Sequence, residues 1–257
     1  MSDNKSPNAE MSLFEHLGEL RGCMVRSVIA LLIAACACYG FSTEIFAFLS
    51  APYFESFTGA PLVGTGPAEA FVLKLKVALV AGIFCASPII FHQVWRFISP
   101  GLYESERRLV FPFVGATTIL FIGGALFCYY GVLPFAFSFF EAEYSSIGVT
   151  PTIKISEHIS TVLQGMLAFG IVFELPVLAF FLARLGFVTR KMLVDGTRLA
   201  VVIIFIVSAV FTPPDVVSQL LMAAPLCLLY YISILIVGWV ERSRVDAAED
   251  AKDQTPV

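Results

Sequence analysis

The sequence predicts an all-α membrane protein with six transmembrane helices. Three observations predict it. The composition is apolar: of 257 residues 58% are hydrophobic, 14% are charged and 25 are Phe, with a mean hydropathy of +0.86. Soluble domains carry roughly 25% charged residues. The charges are gathered into short clusters separated by long charge-free runs. Most of those runs suit a bilayer, because a helix needs about 20 residues to cross a hydrocarbon core of about 30 Å. Residues 1–245 form one polytopic membrane domain on this reading. The polar, acidic stretch 246–257 is expected to be a disordered tail.

The chain opens on a polar stretch, Met1–Glu10, without the pattern of a cleaved leader. The first span is therefore expected to direct insertion. Ser12-Leu13-Phe14-Glu15 reads as a capping box, with Ser12 as N-cap and Glu15 at the third helical position. Leu13, Leu17, Leu20 and Met24 then recur at helical spacing. This is either a short amphipathic helix on the membrane surface or the extended start of span one.

The charge-free runs place the spans at about residues 26–48, 75–95, 109–134, 158–183, 199–211 and 216–240. The fifth is the exception. Between Arg198 and Asp215 every residue is uncharged, but Pro213 and Pro214 stand among them. The 13 residues Leu199–Phe211 reach only about 20 Å at 1.5 Å per residue. The bilayer has to thin beside this span, or its neighbours have to shelter its ends.

Six spans put both termini on one side, and the basic residues choose the side. Lys5, Arg21, Arg26, Arg96, Arg107, Arg108, Arg184, Arg190, Lys191, Arg198, Arg242, Arg244 and Lys252 fall on the terminal side, and Lys74, Lys76 and Lys154 on the other. Basic residues accumulate on cytoplasmic loops, so both termini are expected to be cytoplasmic. The outer side then has two long connections. The first, about 49–74, carries Pro52, Gly59, Pro61, Gly64, Gly66 and Pro67. The second, about 135–157, carries Phe135, Phe137, Phe139, Phe140 and Tyr144, which suit an interfacial cap. Thr212-Pro213-Pro214-Asp215 reads as a tight outer turn.

Enzyme chemistry finds no foothold. There is no P-loop, no HExxH and no GxSxG. His16, His92 and His158 are scattered. Cys23, Cys36, Cys38, Cys85, Cys128 and Cys227 all lie in or beside apolar runs, with no CxxC or zinc spacing, and read as small packing residues. No catalytic residue, metal, cofactor or nucleic-acid partner is expected.

Two places carry polar chemistry that the spans do not need. Glu174 lies inside span four, in Phe173-Glu174-Leu175-Pro176. A charge there costs a few kcal/mol or more, so it should face protein or water. Pro176 cannot donate to the carbonyl of Val172, which kinks the helix beside it. Gln164 and Gln219 are weaker cases of the same kind. The second place is the loop Trp95-Arg96-Phe97-Ile98-Ser99-Pro100-Gly101-Leu102-Tyr103-Glu104-Ser105-Glu106-Arg107-Arg108, with two carboxylates and three arginines on the cytoplasmic side. It is either a recognition surface or a solvated connector whose arginines set topology.

Taken together these residues resemble the TatC family, the multispanning core of the twin-arginine protein export system. The resemblance covers nearly the whole chain. It rests on His16-Leu17-Gly18-Glu19-Leu20-Arg21, Ser50-Ala51-Pro52, Gln93 to Arg108, Phe169-Gly170 with Phe173-Glu174-Leu175-Pro176, and Thr212-Pro213-Pro214-Asp215-Val216-Val217-Ser218-Gln219. It implies a concave, glove-like bundle of six helices with two short C-terminal spans, in a bacterial cytoplasmic (inner) membrane. It implies a receptor for signal peptides with two consecutive arginines, and export of folded proteins driven by the proton-motive force. TatB- and TatA-like single-span proteins are the implied partners, with several copies of the chain in one complex.

The resemblance also implies site residues. Leu17, Glu19, Leu20, Arg21, Phe97, Pro100, Leu102, Tyr103, Glu106 and Arg107 would bind the signal peptide, with Glu106 central. Glu174 would be the intramembrane polar site. Thr212, Asp215 and Gln219 would dock partner helices. The family often has a second basic residue two after Arg21, and here that position is Cys23.

Composition and spacing alone do not separate export from a proton-coupled secondary transporter of a small solute, with Glu174 as its proton site. The motifs do. Only one charged residue is deep in a span, and spans one to three do not align with four to six as inverted copies.

The charge asymmetry makes the topology testable. A cysteine placed near Thr58 should be labelled by an impermeant reagent from outside the cell membrane. Labelling only from the cytoplasmic side would overturn the assignment.

Overall fold

The computed structural model describes residues 13–98, 110–211 and 215–253. Ser12, Pro100, Leu102, Tyr103, Glu104, Glu106, Arg107 and Thr212 lie outside the described residues. What is described is helical apart from two short strands and the connections between elements. Five helices are long and apolar enough to cross a membrane, and a sixth apolar helix is shorter.

Helix α1, Leu13–Gly40, is continuous. The surface helix and span one are thus one rod. It stops at Gly40, short of residue 48, where the sequence reading ended the span. Phe41 leaves helical geometry (φ −107°, ψ 16°), and its N–H donates to the Cys38 carbonyl at 3.1 Å. Helix α2, Ser42–Ser56, starts beyond that bend and takes in residues expected in the outer loop.

Prolines inside the helices set the next features. Pro52 in α2 has no N–H to give the Phe48 carbonyl four residues back. The Tyr129 hydroxyl supplies the missing donor at 2.6 Å, and its ring stacks on Phe48 with centroids 4.3 Å apart. Tyr129 stands in a π-helical turn, Cys128–Val132, between α4 (Val110–Phe127) and α5 (Leu133–Ser146). A π turn shifts the register of the residues around it. The same remedy recurs in α3, Glu69–Ile98, where Pro88 leaves the Phe84 carbonyl open and the Ser87 hydroxyl donates to it at 2.7 Å.

The third apolar unit runs from Phe111 to Ser146, well beyond the expected 109–134. The two outer connections are not simple loops. Strand β1 (Leu62–Val63) pairs in parallel with β2 (Ile153–Lys154), Leu62 opposite Ile153. Beneath this ladder Tyr53 is fully buried, gives its hydroxyl to the Ala60 carbonyl, and packs its ring on Phe57, Phe137 and His158. The aromatic cap therefore has a buried centre at Phe137, while Phe135 is exposed.

Span four is two helices, α6 (Ile155–Val172) and α7 (Leu175–Arg184), broken at Phe173-Glu174 just before Pro176. Small residues let its neighbours close in. A Cβ on Gly124 of α4 would sit 2.6 Å from the Phe169 carbonyl, and one on Gly170 of α6 would sit 2.8 Å from the Phe121 ring. Such reciprocal glycine contacts are how helices approach in a bilayer.

Thr189 caps the short helix α8 (Arg190–Asp195), its hydroxyl accepting the Met192 N–H. Helix α9, Thr197–Phe211, is the short fifth span. Of the two C-terminal spans expected to be short, only this one is. The last helix, α10, runs Val216–Asp253, and its apolar part alone, Val216–Ser243, has 28 residues. It continues past Val240 into the stretch expected to be disordered, where Ala, Glu and Lys favour helix. Residues 254–257 lie outside the described residues.

The packing of α2 on the π turn depends on one hydroxyl. Tyr129→Phe should lower stability by about 1–3 kcal/mol, the cost of an unmet carbonyl in an apolar setting. Tyr130→Phe, at an exposed side chain, should change little. Thermal unfolding of both variants in detergent measures the difference.

Candidate functional site

The N-terminal end of α1 is a polar and apolar edge held in place from behind. Leu17, Glu19 and Arg21 are exposed and Leu20 is half-buried. Leu17, Leu20, Arg21, Met24 and Val25 line a shallow apolar hollow of about 430 Å³. Behind them α1 is pinned to α3, the Arg26 guanidinium donating to the Gln93 side-chain oxygen at 3.1 Å. Gln93 is buried. Neither residue was singled out as a site in the sequence. The signal was available in two polar residues near the inner ends of adjacent spans.

Cys23, at the position where the motif often has a basic residue, is buried. A charge there would have to leave water, so the cysteine suits its surroundings.

The root of the Trp95–Arg108 loop is anchored by aromatic packing. Trp95 is buried, stacks on Phe113 at 4.8 Å and meets the edge of Phe181 at 4.7 Å. This fixes the inner end of α3 against α4 and α7. Phe97 follows, half-buried. Because Arg26 pairs with Gln93, the Leu17–Arg21 edge lies at the same end of the α1–α3 pair as the start of the loop. The loop residues Pro100, Leu102, Tyr103, Glu106 and Arg107 lie outside the described residues.

Glu174 stands at the α6–α7 break. Its N–H donates to the Ile171 carbonyl at 3.1 Å and its carbonyl accepts from Leu178 at 2.9 Å. The carboxyl oxygen Oε1 is buried and finds no hydrogen-bond partner. A break frees backbone polar groups as well, so a lone carboxyl and an interrupted ladder coincide at bilayer depth. Gln164, ten residues toward the outer side, is exposed on the same helix.

At the N-terminal end of α10 two of the expected docking residues, Asp215 and Gln219, have local duties. Asp215 accepts the Ser218 N–H at 2.7 Å and so caps α10. Gln219 donates from its amide nitrogen to the Phe205 carbonyl at 3.1 Å, joining α10 to α9. Capacity is left over: Asp215 Oδ2 and the Ser218 hydroxyl are buried without partners among the described residues. Ser218 was not expected as a site residue. Among the described residues no group of three or more His, Cys, Asp or Glu is placed to hold a metal ion.

The structure thus brings together the α1 edge and the loop root, and sets Glu174 and the Asp215–Gln219 turn apart from them. The chain as a whole is similar to known proteins. Residues 15–225 match the family described as Sec-independent protein translocase protein (TatC). The relative in Magnetococcus marinus is 41% identical over 244 residues, covering 93% of this chain and 89% of its own. That in Azotobacter chroococcum is 37% identical over 257 residues, covering 99% and 100%. Both are named Sec-independent protein translocase protein TatC. A crystal structure of the twin arginine translocase receptor TatC is 38% identical and superposes with a TM-score of 0.82, over 88% of this chain and 100% of that one. Fold, motifs and likeness agree that this chain belongs to the TatC family.

Proposed function

We propose that this chain is the twin-arginine signal-peptide receptor and core subunit of a Sec-independent translocase. It is a multi-pass protein of a bacterial cytoplasmic (inner) membrane with both termini in the cytoplasm. It exports folded proteins at the expense of the proton-motive force and is not itself an enzyme. TatB- and TatA-like single-span proteins join it in a complex that contains several copies of the chain.

The observation that carries the reading is the inner end of α1. Exposed Glu19 and the apolar Leu17–Leu20 edge are locked against α3 beside the root of the Trp95–Arg108 loop. A peptide with two arginines and a following apolar stretch needs just those elements. Carboxylates take guanidinium groups by paired hydrogen bonds. Glu19 and Glu106 fill that role, with Leu20, Arg21, Phe97, Pro100, Leu102, Tyr103 and Arg107 shaping the site. The apolar part of the peptide then runs along the bundle toward Glu174. The solute-transporter reading draws no support from the relatives, which are named as translocase proteins.

Binding should separate two carboxylates that share one loop. A diffuse acidic attractor acts through a field screened over about 8 Å at physiological ionic strength. It would treat Glu104 and Glu106 alike. Paired bonding requires one geometry. Glu106→Gln should therefore cost about 2–3 kcal/mol, roughly 30- to 150-fold in affinity. Glu104→Gln should cost little. Peptide binding to the solubilised protein at low and moderate salt measures both, and equal losses that vanish together as salt rises would remove the named site.

Glu174 gives an independent check. A cysteine at 174 should crosslink to the apolar part of a bound signal peptide, and Glu174→Ala should impair export. Normal export together with no crosslink would remove Glu174 from the path.

A further inference from the structure

The geometry points to a reversible disulfide between Cys38 and Cys85, a modification site that ties the bend at the end of α1 to the middle of α3. The two sulfurs lie 3.8 Å apart, in contact. They come from different helices and from positions 47 residues apart. Both belong to the wall of one open apolar pocket of about 480 Å³ lined by α1, α2, α3, α4 and α6. Cys85 is exposed and Cys38 half-buried, so the pair can be reached.

The place of each residue gives the bond something to act on. Cys38 is in the last turn of α1, and its carbonyl receives the Phe41 N–H that shapes the bend into α2. Cys85 is three residues before Pro88. At the level of the two sulfurs α1 and α3 approach closely, since a Cβ on Gly82 would sit 2.8 Å from the Ala35 backbone, and the Arg26–Gln93 bond ties the helices again farther along. The backbones are already held together, and rotation about the Cα–Cβ bonds of the two cysteines is the movement left to make. The other cysteines among the described residues stand elsewhere: Cys23 and Cys128 are buried, Cys227 is half-buried against the main core, and Cys36 lines a separate groove between α1 and α3.

The reaction is a two-electron oxidation. Two S–H bonds break, one S–S bond forms, and two electrons and two protons pass to dioxygen, which becomes hydrogen peroxide. The pocket wall is apolar, with Ile45, Leu49, Val77 and Val80 among its side chains, so the oxidant has to be apolar too, and dioxygen dissolves in the bilayer. A dithiol reductant reverses the bond by exchange and leaves as its own cyclic disulfide.

The test uses the full chain in membranes, exposed to air with copper–phenanthroline as catalyst. The protein is then denatured and its free thiols are tagged with a maleimide polymer that shifts gel mobility. The chain has six cysteines, so the reduced protein should show six tags and the oxidised protein four, restored to six by dithiothreitol. Cys38→Ser and Cys85→Ser should each show five tags before and after oxidation. Cys36→Ala should show five before and three after, and digestion of the oxidised wild type should yield one peptide pair joined through 38 and 85. Six tags on the oxidised wild type, a loss of two tags that survives Cys38→Ser, or chain-to-chain dimers in place of the internal bond would each overturn the assignment.

Discussion

A bilayer offers no water to an open backbone group, and this chain places prolines inside its helices. That constraint organises much of the structure. Each proline leaves one carbonyl without its partner, at a cost of several kcal/mol in hydrocarbon. Pro52 opens Phe48, and the helix answers by turning Tyr129 toward it through a π turn. Pro88 opens Phe84, and the adjacent Ser87 closes it. Pro176 is met differently: the helix stops at Val172 and restarts at Leu175. The first two remedies tie helices together or keep them straight. The third leaves a gap, and the gap is where Glu174 stands.

The receptor edge depends on the same economy of polar groups. Arg26 lies one turn below the exposed Leu17–Arg21 segment, at the start of the apolar run. Left alone, its guanidinium would pull that part of α1 toward the headgroups. Bonded to Gln93 it becomes a fixed point, and the edge above it inherits a fixed direction. Trp95, two residues beyond Gln93, does the same for the loop root through Phe113 and Phe181. Two residues of one helix, Gln93 and Trp95, thus orient both the α1 edge and the root of the loop.

The spans were legible in the sequence because bilayer thickness acts on every residue of a run at once. Their ends were not, because helices do not stop where charges start. Residues 49–56 look like loop, with Ser50-Ala51-Pro52 inside, yet they complete α2 once Tyr129 supplies the missing donor. That donor is 81 residues away, beyond any local pattern. The β1–β2 pair was hidden for the same reason, being two residues long and joining distant connections. Glu174 was legible as an isolated charge. Gln93 and Ser218 were not, since each is an ordinary polar residue until its partner, or the lack of one, is seen. The Trp95–Arg108 loop was legible as a cluster of charges between apolar runs, and the role expected of Glu106 within it only through the motif.

The fifth span shows how a sequence oddity becomes a surface. Helix α9 has 15 residues, about 22 Å of rise, against a hydrocarbon core of about 30 Å. Its partner α10 has an apolar part of 28 residues, about 42 Å on the same rise. The two cannot both match one bilayer thickness, and they share the turn at 212–215. If the turn sits at the outer surface, α9 falls short of the inner one. If it is drawn inward, Asp215 and Ser218 enter the apolar zone. Either way the mismatch is concentrated beside this pair. Gln219 already spends its amide nitrogen on Phe205, which keeps the short helix against the long one. Asp215 Oδ2 and the Ser218 hydroxyl remain open among the described residues. Open polar atoms at the rim of a thinned bilayer favour a second helix that brings its own polar side chain, because hydrocarbon gives them no other partner. The shortness of α9 and the polarity of the turn that leads into α10 thus meet at one end of the helix pair.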